Sequence, residues 1–327
     1  MRAALRSAVV LGVLAALAGP ALAQSGPVEV VATIGMIGDV VAQVGGDCVV
    51  VTTLMAPGVD PHLYQARPAD VRSLQRAEAV FYSGHALEGR LGEVLERFGR
   101  QKPTIAVSEA AVPGDRLIAT GDASGIDPHL WMDAGLWSGI VAPVAGTLAD
   151  LHPDCAGRIA AGADAYRGQL LALDGWVRDA VATIPAERRT LVTAHDAFAY
   201  YGRAYGLEVA GIQGISTESE ASIADIRATA DLIASAGVPA VFVESTVNPR
   251  TMQAVIDAVR QRGGAVAVAG ELYSDAMGEP GTAAGTYVGM IHANTRAIVR
   301  ALGGTPPPLP PALADWAARW AIGAAGP

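Results

Sequence analysis

The chain has 327 residues, with 23 Lys and Arg against 32 Asp and Glu, a formal charge of −9 at pH 7. A chain this acidic lacks the basic surface that nucleic acid demands, so nucleic acid is excluded as a partner. Its length exceeds the usual size of a single hydrophobic core and predicts two domains.

Residues 1–23 read as a secretory signal peptide: Arg2 and Arg6, an apolar run, then Ala21-Leu22-Ala23 before Gln24. Gly19-Pro20 breaks the run, which is too short to span a bilayer comfortably, and no later stretch approaches about 20 uncharged apolar residues. The expectation is an exported soluble protein whose mature chain begins near Gln24, with the charge moving from −9 to −11 as Arg2 and Arg6 leave. No cysteine follows the small-residue site, which argues against a lipid anchor.

From Val28 the predicted elements alternate. VEVVATI is a strand, followed by a helix near 36–45, the strand CVVVTTL, a helix near 67–77, the strand AVFYS, a helix near 87–99 and the strand TIAV. Strands separated by helices of about ten to fifteen residues mean βαβ units and a mostly parallel sheet. Residues 154–184 place Ile159, Ala163, Tyr166, Leu170, Leu173, Val177, Ala180 and Ile184 on one stripe, alternating four and three apart, which predicts a single long helix. Pro153 suits its start and Pro185 its end, while Gly157, Gly162, Gly168 and Gly175 each cost it about 1 kcal/mol relative to alanine. Beyond it TLVTAH, LEVAGI, PAVFVES and AVAVAG repeat the strand-helix grammar. The fold class is α/β, with 24–152 as a first lobe, 153–185 as a linking helix and 186–327 as a second lobe. Its proline-rich tail, 305–311, leads to a short helix whose Trp316 and Trp320 are expected to cap the second lobe's core.

One pattern occurs twice: Asp60-Pro61-His62-Leu63-Tyr64 and Asp127-Pro128-His129-Leu130-Trp131, in a chain with six histidines. A proline fixes its own φ and biases the residue before it, so a histidine behind Asp-Pro enters from a constrained direction. His195 closes the strand TLVTAH, and Asp275 follows the strand read as ending near Ala269. Ligands of parallel α/β sheets bind beyond the carboxyl ends of the strands, and three of these four residues fit that directly. Three imidazoles and a carboxylate suit a tetrahedral zinc ion, and the same set can hold manganese. Asp60, Asp127 and Asp196 are the candidate acceptors for the outer ring nitrogens, each with a local turn role as the alternative. His85, His152 and His292 read as ordinary surface or core-edge residues. Cys48 and Cys155, the only cysteines, lie in no metal-binding spacing, and whether they pair is left open.

DPHLYQARPAD, DPHLWMD, the stretch AHDAFAYYGRAYGLEVAGIQGISTESEAS and LYSDAMG, in this order around a long central helix, resemble the metal-binding solute-binding proteins of zinc and manganese ABC transporters, cluster A-I of the periplasmic zinc-binding type. The resemblance covers nearly all of the mature chain. It implies two Rossmann-like lobes joined by one rigid helix, with a divalent ion between them held by His62 and His129 from the first lobe and His195 and Asp275 from the second. Manganese-type members tend to carry glutamate where His195 stands, which tilts the resemblance to zinc. The segment 112–126, VPGDRLIATGDASGI, lacks the histidines of the loop many zinc-type members carry there, which weakens that tilt and suggests delivery by a separate metallochaperone. The implied function is capture of zinc, or alternatively manganese, by a monomer that delivers it to an ABC transporter membrane permease. Two other readings are a metal-binding adhesin and a secreted zinc hydrolase using Glu218 or Glu220, although no HExxH motif is present. A non-enzymatic role is expected.

Overall fold

The computed structural model describes residues 26–121 and 125–323, so the segment read as a signal peptide lies outside the described residues. Strand β1 (Val28–Ala32) is a buried β-branched run, and α1 (Gly35–Gly45) returns across it with Met36, Ile37, Val40, Val41 and Val44 buried. There follow β2 (Val49–Thr53), α2 (Pro68–Arg76), β3 (Ala79–Tyr82), α3 (Gly92–Gly99) and β4 (Thr104–Ala106). They form one parallel sheet in the order β2-β1-β3-β4, the arrangement that helical crossovers impose. The helices α4 (Val107–Ala111), α5 (Ala134–Trp137) and α6 (Val141–Leu151) then lead to α7 (Ala156–Ala182).

After α7 come β5 (Thr190–His195), α8 (Ala199–Tyr205), β6 (Glu208–Gln213), α9 (Ile223–Ala236), β7 (Ala240–Glu244), α10 (Arg250–Gln261), β8 (Ala267–Leu272), α11 (Tyr287–Ala301) and α12 (Ala314–Arg319). Strands β5 and β6 pair in parallel, as do β7 and β8, and the two pairs abut through β5 and β7. The boundaries follow local chemistry. Ser222 caps α9 by accepting from the Asp225 N–H and donating its own N–H back to the Asp225 carboxylate, and Gly237 ends the helix at φ 62°.

Four expectations shift. Helix α7 has 27 residues, roughly 40 Å at 1.5 Å per residue, because Pro153 opens a separate 3-10 turn ahead of it. Ala163 on the read stripe is only half-buried, whereas Trp176 and Val181, off the stripe, are buried, Trp176 lying against His292 of α11. Strand β8 lies two residues later than the AVAVAG reading, since its start is an exposed edge of small residues with Val268 47% exposed, and hydrophobicity does not mark it. The stretch Ala134–Leu151 is, by length and composition, apolar enough to cross a membrane, contrary to the sequence reading, and it packs against α1 and α7 as a core element.

Cys48 and Cys155 form a disulfide, with Cα atoms 6.2 Å apart, that ties the start of α7 to the turn before β2. Gly162 has a packing reason: a Cβ there would come 2.6 Å from the Val44 carbonyl, so α7 and α1 meet backbone to side. Trp316 donates from Nε1 to Thr286 Oγ1 at 3.1 Å and packs on His292, which lies between it and Trp176. The tail therefore caps α7 and α11 rather than the strands. One apolar cluster runs from β1 and α1 through α7 to α8 and α11, and a smaller one joins Val192 and Val241 to Ile233, Met252 and Val259 of α9 and α10.

Candidate metal centre

Each of the four sequence-predicted residues leaves a different connection. His62 sits in the coil between β2 and α2, where its N–H donates to Asp60 Oδ1 at 2.8 Å. The other Asp60 oxygen accepts from Thr217 Oγ1 at 2.5 Å, a bond that crosses to the second half of the chain. Asp60 therefore shapes the turn and does not serve the His62 ring. His129 follows the second Asp-Pro step, and Asp127 Oδ1 accepts both its N–H at 2.9 Å and its ring Nδ1–H at 2.7 Å. His195 is the last residue of β5, and Asp275 stands three positions past the end of β8. Trp131 pins that last loop: its Nε1 donates to the Ser274 carbonyl at 2.8 Å, while its own carbonyl accepts from Tyr287 Oη at 2.6 Å.

The chain brings the four together. One donor atom from each of His62, His129, His195 and Asp275 lies within 4.8 Å of the others, and all four residues are buried. His62 Nε2 is 3.3 Å from His129 Nε2, His129 Nε2 is 3.4 Å from Asp275 Oδ1, and His195 Nε2 is 3.2 Å from Asp275 Oδ2. Both Asp275 oxygens and His195 Nε2 are buried without an aligned hydrogen-bond partner. Buried polar atoms are normally satisfied, so lone pairs converging on one point fit a cation. His62, at 7% exposure, borders a cavity of about 600 Å³ whose rim carries the exposed Glu218 and Glu220.

The charges are uneven. Burial would lower the His129 pKa, but Asp127 and then Asp275 outweigh it and lift the ring to about 9. Burial likewise works against His195, and the Glu244 and Asp275 carboxylates raise it well above the ordinary histidine value. His62 lacks such a carboxylate behind it, and burial takes it down to about 4. Burial would raise Asp275, yet His195 and His129 hold it well below the usual carboxylate range.

Sequence reasoning missed Glu244. This buried residue at the end of β7 accepts the His195 N–H at Oε1, 2.8 Å, and stands 2.5 Å from His195 Nδ1 through Oε2. The acceptor role considered for Asp196 falls to Glu244 instead, because β5 and β7 end side by side. No local signal marks a residue 49 positions away. His85, His152 and His292 lie outside the cluster, the last between two tryptophans with its pKa lowered to about 4 by burial and by Arg296 and Arg300.

Residues 30–301 match the family model described as "ZnuA: Zinc-uptake complex component A periplasmic". The chain is similar to the manganese-binding lipoprotein MntA of Bacillus subtilis (strain 168), with 43% identity over 274 residues, 84% of this chain and 89% of that protein. It is also similar to the zinc-binding protein TroA of Treponema pallidum (strain Nichols), with 45% identity over 280 residues, 86% of this chain and 90% of that one. The solved structure of periplasmic zinc-binding protein TroA from that organism matches with a TM-score of 0.82 at 45% identity, over 85% of this chain and 99% of the other.

Proposed function

Because the chain belongs to the zinc-uptake complex component A family of periplasmic proteins, we propose that it captures one divalent metal ion and hands it to the membrane permease of an ABC transporter for import. His62, His129, His195 and Asp275 are the ligands we assign. The observation that carries the reading is their convergence within 4.8 Å, with both Asp275 oxygens lacking aligned partners. Zinc is the ion assigned first, since three nitrogen donors and one oxygen donor match its tetrahedral preference. Manganese is the second reading, supported by the similarity to MntA and by a carboxylate able to bind through both oxygens.

In the same reading residues 1–23 are a signal peptide, the mature protein works in the periplasm as a monomer, and a metallochaperone can supply the ion. The lobes are 24–152 and 186–327 on either side of 153–185, a division supported by two ligands preceding α7 and two following it. The role is carriage rather than catalysis: Glu218 and Glu220, which hydrolysis would recruit, are exposed on the rim.

Isothermal titration of chelator-stripped protein should show one ion per chain, with His129→Ala abolishing tight binding. Unchanged affinity in that variant would sink the ligand assignment. Elemental analysis of protein purified from its native compartment, with zinc and manganese in competition, decides between the ions.

A further inference from the structure

Glu244 fixes both the backbone and the ring of one histidine. Its Oε1 accepts the His195 N–H at 2.8 Å and its Oε2 lies 2.5 Å from Nδ1, where β5 and β7 abut. The second approach is off the line of the ring N–H, so Nδ1 and Oε2 each lack an aligned partner. At that separation two lone pairs would repel, so Nδ1 carries a proton. Asp127 treats His129 differently: Oδ1 alone takes both the N–H and the Nδ1–H, while Oδ2 is buried and unpartnered.

We propose that Glu244 is the positioning residue that makes His195 a metal ligand, keeping Nδ1 protonated so that Nε2 offers its lone pair toward Asp275. This rests on the metal-binding reading above. An asymmetry between the two carboxylate-histidine pairs follows from the atoms used. Asparagine at 127 retains one oxygen that serves both His129 donors, and its NH₂ takes the place of the unpartnered oxygen. Glutamine at 244 has no such solution. Whichever way its amide turns, the NH₂ meets either the His195 N–H or Nδ1. In the second case Nδ1 becomes an acceptor and the proton moves to Nε2, which removes the lone pair a metal ion needs.

The test uses the full mature chain stripped of metal, as wild type, E244Q and D127N. Zinc affinity is read by competition with a chromophoric chelator, and the histidine ring protons by ¹H–¹⁵N spectra of the metal-free protein. E244Q should weaken zinc by about 100-fold and D127N by about tenfold, the two ends of the range for groups that orient metal-binding histidines. A slowly exchanging His195 Nδ1–H should be present in the wild type and absent from E244Q, whereas the His129 Nδ1–H should survive in D127N. Equal losses of affinity in the two variants, or a wild-type His195 without a proton on Nδ1, would overturn the proposal. The wild-type spectrum decides even if E244Q fails to fold. Wild-type protein that binds no zinc would overturn the preceding reading instead, a distinct result because the Nδ1–H signal needs no metal.

Discussion

Replacing Asp39 separates the worth of its hydrogen bonds from the cost of its charge. Asp39, on α1, accepts from Tyr166 Oη of α7 at 2.6 Å and from the Tyr287 N–H of α11 at 3.0 Å, both at Oδ2, and from Gln43 Nε2 at 3.3 Å. Heavy atoms crowd it on all sides, although two flanking cavities leave its side chain some solvent contact. Burial raises its pKa despite these bonds. Asp39→Ala strands the Tyr287 N–H and the Tyr166 hydroxyl, each at about 1 to 3 kcal/mol, so a loss of about 2 to 6 kcal/mol is expected. Asp39→Asn keeps an oxygen for both donors and removes a partly desolvated charge. Against this it gives up a favourable anion at the start of α11, worth about 0.3 to 1 kcal/mol, so its net effect at pH 7 should lie within about 1 kcal/mol of zero. The pH dependence has a definite sign. A carboxyl whose folded pKa is raised contributes stability fully below its unfolded value and loses it as pH rises through the folded value. Wild type should therefore lose stability relative to Asp39→Asn between acid and neutral pH. Urea unfolding of both variants across that range is the assay. Equal destabilisation of the two at pH 7, or a gap that widens in favour of wild type as pH rises, would refute the reasoning.

Joint replacement of Cys48 and Cys155 by serine should lower stability by at most about 5 kcal/mol, the loop-entropy value for a closure of 107 positions, and a melting temperature insensitive to it would mean the bridge constrains little. Gly162→Ala forces a Cβ to within 2.6 Å of the Val44 carbonyl and should cost about 1 to 3 kcal/mol, whereas Gly168→Ala, with nothing within 4 Å, should gain up to about 1 kcal/mol; thermal melts of the pair check the contrast. Metal binds the bare ring nitrogen, and the Asp127 and Asp275 carboxylates lift His129 to about 9 against its burial. Zinc affinity should thus climb by about tenfold per pH unit for each displaced proton and keep climbing above pH 7, beyond the ordinary histidine range; a plateau from pH 7 upward would count against it.

The repeated Asp-Pro-His context made His62 and His129 legible because the signal is local: proline geometry and an aspartate two positions earlier act within one turn. Asp127 was legible for the same reason, and its twin Asp60 reads alike in sequence but spends its second oxygen on Thr217. Alternating strands and helices disclosed the parallel sheets. The acceptor behind His195 was not legible, because the approach of β5 to β7 depends on strand order and register, which neither strand's own residues specify. The cover over α7 escaped in a similar way, since a single buried stripe does not reveal that α11 sets His292 against Trp176. Cys48 and Cys155 could be judged only once α1 and α7 were seen to pack.

Asp127, Glu244 and Asp275 are buried close to one another, and among the described residues no lysine or arginine forms an ion pair with any of them. Such a concentration of negative charge is tolerable only with a counter-charge at hand. In the metal-free chain it comes from the rings of His129 and His195, whose hold on protons the neighbouring carboxylates strengthen against burial. A divalent cation that displaces one proton from each ring brings in the two positive charges it removes. The same side chains can then serve both states with little change in net charge, so electrostatics does not demand that the lobes part. The packing argues the same way, since one apolar cluster joins β1 and α1 through α7 to α11, and the bonds from Asp39 to Tyr287 and from Trp131 to Ser274 span the two halves. Exchange of protons for metal at a nearly fixed site is the economical mode for a carrier whose lobes share a core.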